Sequence, residues 1–139
     1  MKENFSTLFS ALANETRLRI LNLLVHREIS VHTLTDILGE SQPKISRHLA
    51  FLRKAGLVTT RREGKWIYYE MAEIKNEHLK EILSNLIAWI SNNQKMQKDY
   101  QKLLQLQPVT KKNLRKENIF ADTNMTEIHK KDELAIHLL

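Results

Sequence analysis

A mainly α-helical domain carrying one small β-hairpin is the fold class that three features of the sequence predict. Apolar residues recur at helical spacing over most of the first hundred positions, the three glycines fall between those runs, and one short stretch is rich in β-branched and aromatic residues. The chain has 139 residues, enough for one compact domain with appendages.

Phe5, Leu8, Phe9 and Leu12 recur at i, i+3, i+4 and i+7, the stripe of an amphipathic helix. Asn14 is placed to cap a second helix with Leu18, Leu21, Leu24 and Val25 inside, and Ser30 to cap a short third one carrying Val31, Leu34, Ile37 and Leu38. Gly39 ends that helix, and after Glu40 alone Ser41 caps a fourth, with Pro43 in its first turn where a missing N–H costs little. Two helices joined by so short a turn form a helix-turn-helix. Leu57 to Arg61 and Trp66 to Met71 then read as two strands, with Gly64 in the tight turn between them, so the hairpin is a wing. From Asn76 onward Leu79, Ile82, Leu83, Leu86, Ile87 and Ile90 repeat the helical stripe. The expected organisation is a winged helix-turn-helix and dimerisation domain over 1–95, a helical extension over 96–108 and a flexible basic tail over 109–139, where Lys111, Lys112, Arg115 and Lys116 cluster.

The net charge of +6 is concentrated. Lys44, Arg47, Arg53, Lys54, Arg61, Arg62 and Lys65 face Glu63 alone over positions 41–66, which leaves the rest of the chain balanced. A confined excess of this kind suits a polyanion, where general solubility would spread it. In the fourth helix Ile45, Leu49 and Leu52 point one way and Pro43, Arg47, Ala50 and Lys54 the other. Gln42 and Arg47, in its N-terminal half, carry the paired donors and acceptors that match adenine and guanine edges in a major groove. Ser41, Lys44, Ser46, Arg53 and Lys54 suit phosphates, and Arg61, Arg62 and Lys65 on the wing suit an adjacent minor groove. His48 lies nearer the packed side, with a structural role and a DNA contact both open.

Other classes find little support. There is no cysteine, hence no disulfide, thiolate metal site or cysteine nucleophile. No Gly-rich phosphate loop or metal-spaced histidine cluster is present, so neither an enzyme nor a bound cofactor or metal is expected. No run approaches the roughly 18 apolar residues of a membrane span, and Met1 to Ser10 lacks the pattern of a signal peptide, which points to the cytoplasm. The rival class is a winged helix that binds protein or RNA without operator specificity, since a fold alone does not fix function. Arg47 and Gln42 beside the charge excess favour double-stranded DNA.

Four ordered blocks resemble the ArsR/SmtB winged-helix repressors: Ala11-Leu12-Ala13-Asn14-Glu15-Thr16-Arg17-Leu18-Arg19-Ile20-Leu21, Ser41-Gln42-Pro43-Lys44-Ile45-Ser46-Arg47-His48-Leu49, Leu52-Arg53-Lys54-Ala55-Gly56-Leu57-Val58 and Arg62-Glu63-Gly64-Lys65-Trp66-Ile67-Tyr68-Tyr69. The resemblance spans about Phe5 to Ile90 and implies a transcriptional repressor that binds an imperfect palindrome as a homodimer. Its first and last helices pair across a two-fold axis, an interface that falls here on Phe5, Leu8, Leu79, Ile82, Leu83, Leu86, Ile87 and Ile90. The long stripe on the last helix agrees, having no other partner large enough in so small a domain. Two departures bear on the signal that such a protein answers. Members that sense arsenic or other soft metals carry two cysteines in a Glu-Leu-Cys-Val-Cys-Asp-Leu pattern on the third helix, where this chain reads Glu28-Ile29-Ser30-Val31-His32-Thr33-Leu34. The zinc-sensing version uses an aspartate and histidines on the last helix; Glu77 and His78 are present, but the later histidine is replaced by the neighbourhood of Trp89. The effector is therefore open.

Overall fold

A computed structural model describes residues 4–107. Its elements run α1 (Phe5–Leu12), α2 (Glu15–Leu24), β1 (Ile29–Ser30), α3 (Val31–Leu38), α4 (Gln42–Lys54), β2 (Val58–Glu63), β3 (Trp66–Met71), α5 (Glu77–Ile90) and α6 (Gln94–Leu106). The basic tail expected over 109–139 lies outside the described residues.

Every described helix starts on a side-chain cap. The oxygens of Asn4, Asn14, Ser30, Ser41 and Asn76 accept from the backbone N–H three residues on, and Asn93 from the one two residues on. Each satisfies a donor that the first turn leaves open, an effect of about 1 kcal/mol. Gly39 closes α3 at φ 67°, in the left-handed region that favours glycine, and donates to the Thr35 carbonyl. That single residue lets the cap of α4, Ser41, follow two positions later.

The core gathers Ile20, Leu21 and Leu24 of α2, Leu34 and Ile37 of α3, and Ile45, Leu49 and Leu52 of α4, so the helix-turn-helix is held from the side opposite its outward face. β2 and β3 form the expected antiparallel hairpin, with Glu63 opposite Trp66 across a two-residue loop. A third strand joins them. Ile29 pairs with Tyr69 and Ser30 with Tyr68, giving the antiparallel order β1-β3-β2. Two residues of strand are too short to show an alternation in sequence, which is why β1 is not visible there.

The C-terminal helices also differ from a single stripe. Ser91 Oγ and Asn92 Nδ2 both donate to the Ala88 carbonyl (2.8 and 3.4 Å), and Asn93 caps the next helix. These short polar side chains compete with the backbone ladder and break the helix in two. The segment expected as an extension becomes α6, which runs beside α2 in the same direction and sends Met96, Asp99 and Leu103 into the interior. Its seam is largely polar: Lys95 meets Glu15 at 2.7 Å, Asn22 Nδ2 donates to the Met96 carbonyl at 3.3 Å, His26 stacks on Tyr100 at 4.2 Å and Arg27 donates to the Gln107 carbonyl. At its centre Arg19 forks onto buried Asp99 through Nε and Nη2, at 2.8 and 2.9 Å. That pairing, chiefly its hydrogen bond, raises the Arg19 pKa from its ordinary value.

Packing corrects part of the expected dimer interface. Leu83 and Ile87 are 0% and 1% exposed within one protomer, because α5 turns them onto the α2 side of the core, so they offer a second copy almost no surface to cover. Leu8 and Leu79 are half-buried against the same core, and Leu86 and Ile90 are half-buried as well. Phe5 (63%) and Ile82 (46%) do stand exposed, joined by Phe9 on α1 and Trp89 on α5.

Candidate nucleic-acid interface

The outward face of α4 is solvent-exposed along its length. Ser41, Gln42, Ser46, Arg47, Arg53 and Lys54 are all exposed, while Ile45, Leu49 and Leu52 are fully buried on the opposite side. Pro43 sits in the first turn and Arg53 and Lys54 in the last, where their charge suits the negative end of the helix. Lys44 is half-buried and paired with Glu40 in the turn, at 3.0 Å. Among the described residues, neither Gln42 nor Arg47 is engaged by another side chain, so both are available to an external partner.

The wing brings Arg62 and Lys65 to an exposed tip, with Gly64 at φ 59° making the turn. Arg61 departs from expectation. Its Nε and Nη2 donate to Glu28 at 3.0 and 2.6 Å, its Nη1 to Glu63 at 2.8 Å, and its guanidinium carbon lies 4.8 Å from the centre of the Tyr68 ring. The hydrogen bonds to Glu28 and then Glu63 drive its pKa up from the usual arginine value. Its charge is thus shared with two carboxylates, while Arg62 and Lys65 stand exposed at the wing tip. Sequence spacing could not reveal this, since Glu28 lies 33 positions away.

His48 is half-buried, and its Nδ1 lies 3.3 Å from Arg17 Nη1. Burial first, then the neighbouring Arg17, Lys44 and Arg47 cations, hold its pKa below the ordinary histidine value, with Glu40 acting in the opposite sense. Of the two roles left open for His48, its contacts support the structural one. At the head of α3, Ser30 is buried as the helix cap, while His32 is exposed with Nε2 3.6 Å from Asp36 and its ring 6.4 Å from that of Trp66. No group of three or more histidine, aspartate or glutamate side chains among the described residues is arranged to hold a metal ion. Nor is any described helix long and apolar enough to cross a membrane.

The comparisons with known proteins agree with this geometry. Residues 14–60 match the family model described as "Bacterial regulatory protein, arsR family". The arsenical resistance operon repressor of Escherichia coli (strain K12) is 43% identical over 93 residues, covering 65% of this chain and 76% of that protein. Among solved structures, HlyU from Vibrio cholerae N16961 superposes with a TM-score of 0.51 at 41% identity, over 58% of this chain and 88% of its own. The homodimeric winged helix-turn-helix DNA-binding domain Mb0332 from Mycobacterium bovis gives 0.51 at 34% identity, over 62% and 73%. A capped helix-turn-helix with an open reading face, a basic wing and relatives of this similarity lead to one assignment: the chain belongs to the arsR family of bacterial regulatory proteins and is a winged helix-turn-helix, DNA-binding transcriptional regulator, not an enzyme.

Proposed function

We propose that this regulator acts in the cytoplasm as a homodimeric repressor that binds an imperfect palindrome in double-stranded DNA. The observation that carries the reading is the pair Gln42 and Arg47, exposed and unengaged at the leading half of a helix whose other face is locked in the core. Ser41, Ser46, Arg53 and Lys54 flank them to position phosphates, with Lys44 at the edge, and Arg62 and Lys65 extend the contact to a minor groove. Pairing of α1 and α5 with their copies would cover Phe5, Phe9, Ile82 and Trp89, large apolar side chains that a lone protomer leaves in water. The homodimeric state of the Mycobacterium bovis neighbour supports a two-fold assembly.

Selection of duplexes from a random-sequence pool tests it. The expected product is a two-fold pattern with half-sites about one helical turn, roughly 34 to 36 Å, apart. Arg47→Ala should cost about 1 to 3 kcal/mol and relax base preference at one position per half-site, whereas Lys65→Ala should weaken all sequences alike. A pool that returned no two-fold pattern would sink the proposal.

The signal is expected to differ from that of thiol-bearing members. Arsenite and cadmium favour sulfur ligands over oxygen or imidazole, and here Ser30 is a buried cap bonded to Thr33 and His32 is an exposed imidazole beside Asp36. Fluorescence anisotropy on the selected duplex should show no release by either ion; release by stoichiometric arsenite would refute this.

A further inference from the structure

One side chain outside the DNA-facing set joins three helices. Arg17, on the first turn of α2, donates from Nε to the Ala11 carbonyl at 2.9 Å and from Nη2 to the Ser10 carbonyl at 2.8 Å, the second of which also accepts from the Ala13 N–H that ends α1. Its Nη1 meets His48 Nδ1 at 3.3 Å, and its guanidinium carbon sits 4.4 Å from the centre of the Phe51 ring. His48 and Phe51 belong to α4, so one planar group bonds the end of α1 along one edge and grips the recognition helix along the other. A guanidinium has five donors and no acceptor. The contact therefore needs the lone pair on His48 Nδ1, with the ring neutral and its proton on Nε2. A charged ring would set N–H against N–H, two cations within 3.3 Å.

We propose that Arg17 is a positioning residue of the DNA reader, fastening the last turn of α1 to α4 through neutral His48 and the face of Phe51, so that α1 sets the pose of α4 and protonation of His48 loosens it. The inference rests on the reading that protomers pair through α1 and read an operator with α4. The groups facing His48 are Arg17 from α2, Lys44 and Arg47 from its own helix, and Glu40 from the turn; three of the four oppose a charged ring. The sign follows from the lowered pKa. The fastening is complete above the ordinary histidine value of about 6.5 and is lost as pH falls below it through the lower folded-state value. A direct bond from His48 to a DNA phosphate would act oppositely, since the phosphate favours the charged ring and tightens binding as pH falls.

Operator affinity, measured by anisotropy on the selected duplex between pH 5.5 and 7.5, separates these outcomes. At pH 7.5 Arg17→Ala and His48→Leu should each weaken binding about tenfold, and the double variant should be no weaker than about tenfold, because both remove one fastening. His48→Asn, whose Oδ1 can accept from Arg17 but does not titrate, should recover most of the affinity and lose the fall at low pH that the native protein shows. Additive losses near a hundredfold, or native binding that tightens toward pH 5.5 relative to His48→Asn, would overturn the proposal. If Arg17→Ala does not fold, the contrast between His48→Leu and His48→Asn still decides. Should no duplex be selected, the operator reading has failed, and the fastening is read separately from the ¹⁵N resonances of the His48 ring. These should report the Nε2–H form, with a pKa that rises in Arg17→Ala; an Nδ1–H ring refutes the contact.

Discussion

Replacing Asp99 with alanine is expected to cost about 3 to 5 kcal/mol of folding stability, the range for removing one partner of a buried ion pair. The carboxylate is 2% exposed and takes two hydrogen bonds from Arg19, itself 9% exposed, so the variant leaves a guanidinium in the interior without its hydrogen-bonded counter-ion. The loss should appear in urea unfolding as a lower midpoint. Substituting both partners, Arg19→Met with Asp99→Leu, should recover most of it, because the desolvation penalty of both ions disappears together. A loss under about 1 kcal/mol for Asp99→Ala would mean that the seam between α2 and α6 is held by Met96 and Leu103 instead.

The second large effect concerns assembly. Phe9→Asp combined with Ile82→Asp should convert dimers to monomers in sedimentation velocity and abolish cooperative occupation of the two half-sites. Each apolar side chain buried between protomers contributes about 2 kcal/mol, and each introduced carboxylate adds a desolvation cost. Leu83→Ala should behave differently, lowering stability by about 2 to 5 kcal/mol while the residual folded protein stays dimeric, since that residue is already inside the protomer. Dimers that survive in the Phe9 and Ile82 double variant would place the two-fold contact elsewhere.

Most of the framework was legible in sequence because each boundary is marked by local chemistry. Asn14, Ser30 and Ser41 cap the helices that their types suggest, Gly39 ends α3, and Gly64 turns the wing. The outward face of α4 follows from the 3.6-residue period alone. What escaped depends on partners distant in the chain. Asp99 reads as a surface residue until Arg19, 80 positions earlier, is brought beside it, and the largely polar α2–α6 seam has only the short stripe of Met96, Tyr100 and Leu103 to announce it. Leu83 and Ile87 fall on the same stripe as Ile82, and only the packing of α5 onto α2 decides which of them is left for a second copy. Arg17, the residue with the most consequential set of contacts, lies in a recognisable sequence block, yet spacing gives no sign that it reaches His48.

The clamp of Arg61 by Glu28 and Glu63 has a consequence for ion release. Binding to duplex DNA expels about 0.9 condensed cations for every phosphate that a lysine or arginine neutralises, which sets the slope of log affinity against log salt. A count of basic residues over 41–66 includes Arg61, but this guanidinium already spends its charge on two carboxylates, and Lys44 shares its own with Glu40. The slope is therefore shallower than the charge count implies, by about 0.9 per protomer for Arg61 alone. Freeing it by Glu28→Gln with Glu63→Gln should make binding to any duplex, operator or not, more sensitive to potassium chloride, and so narrow the margin by which the protein prefers its own site at low ionic strength.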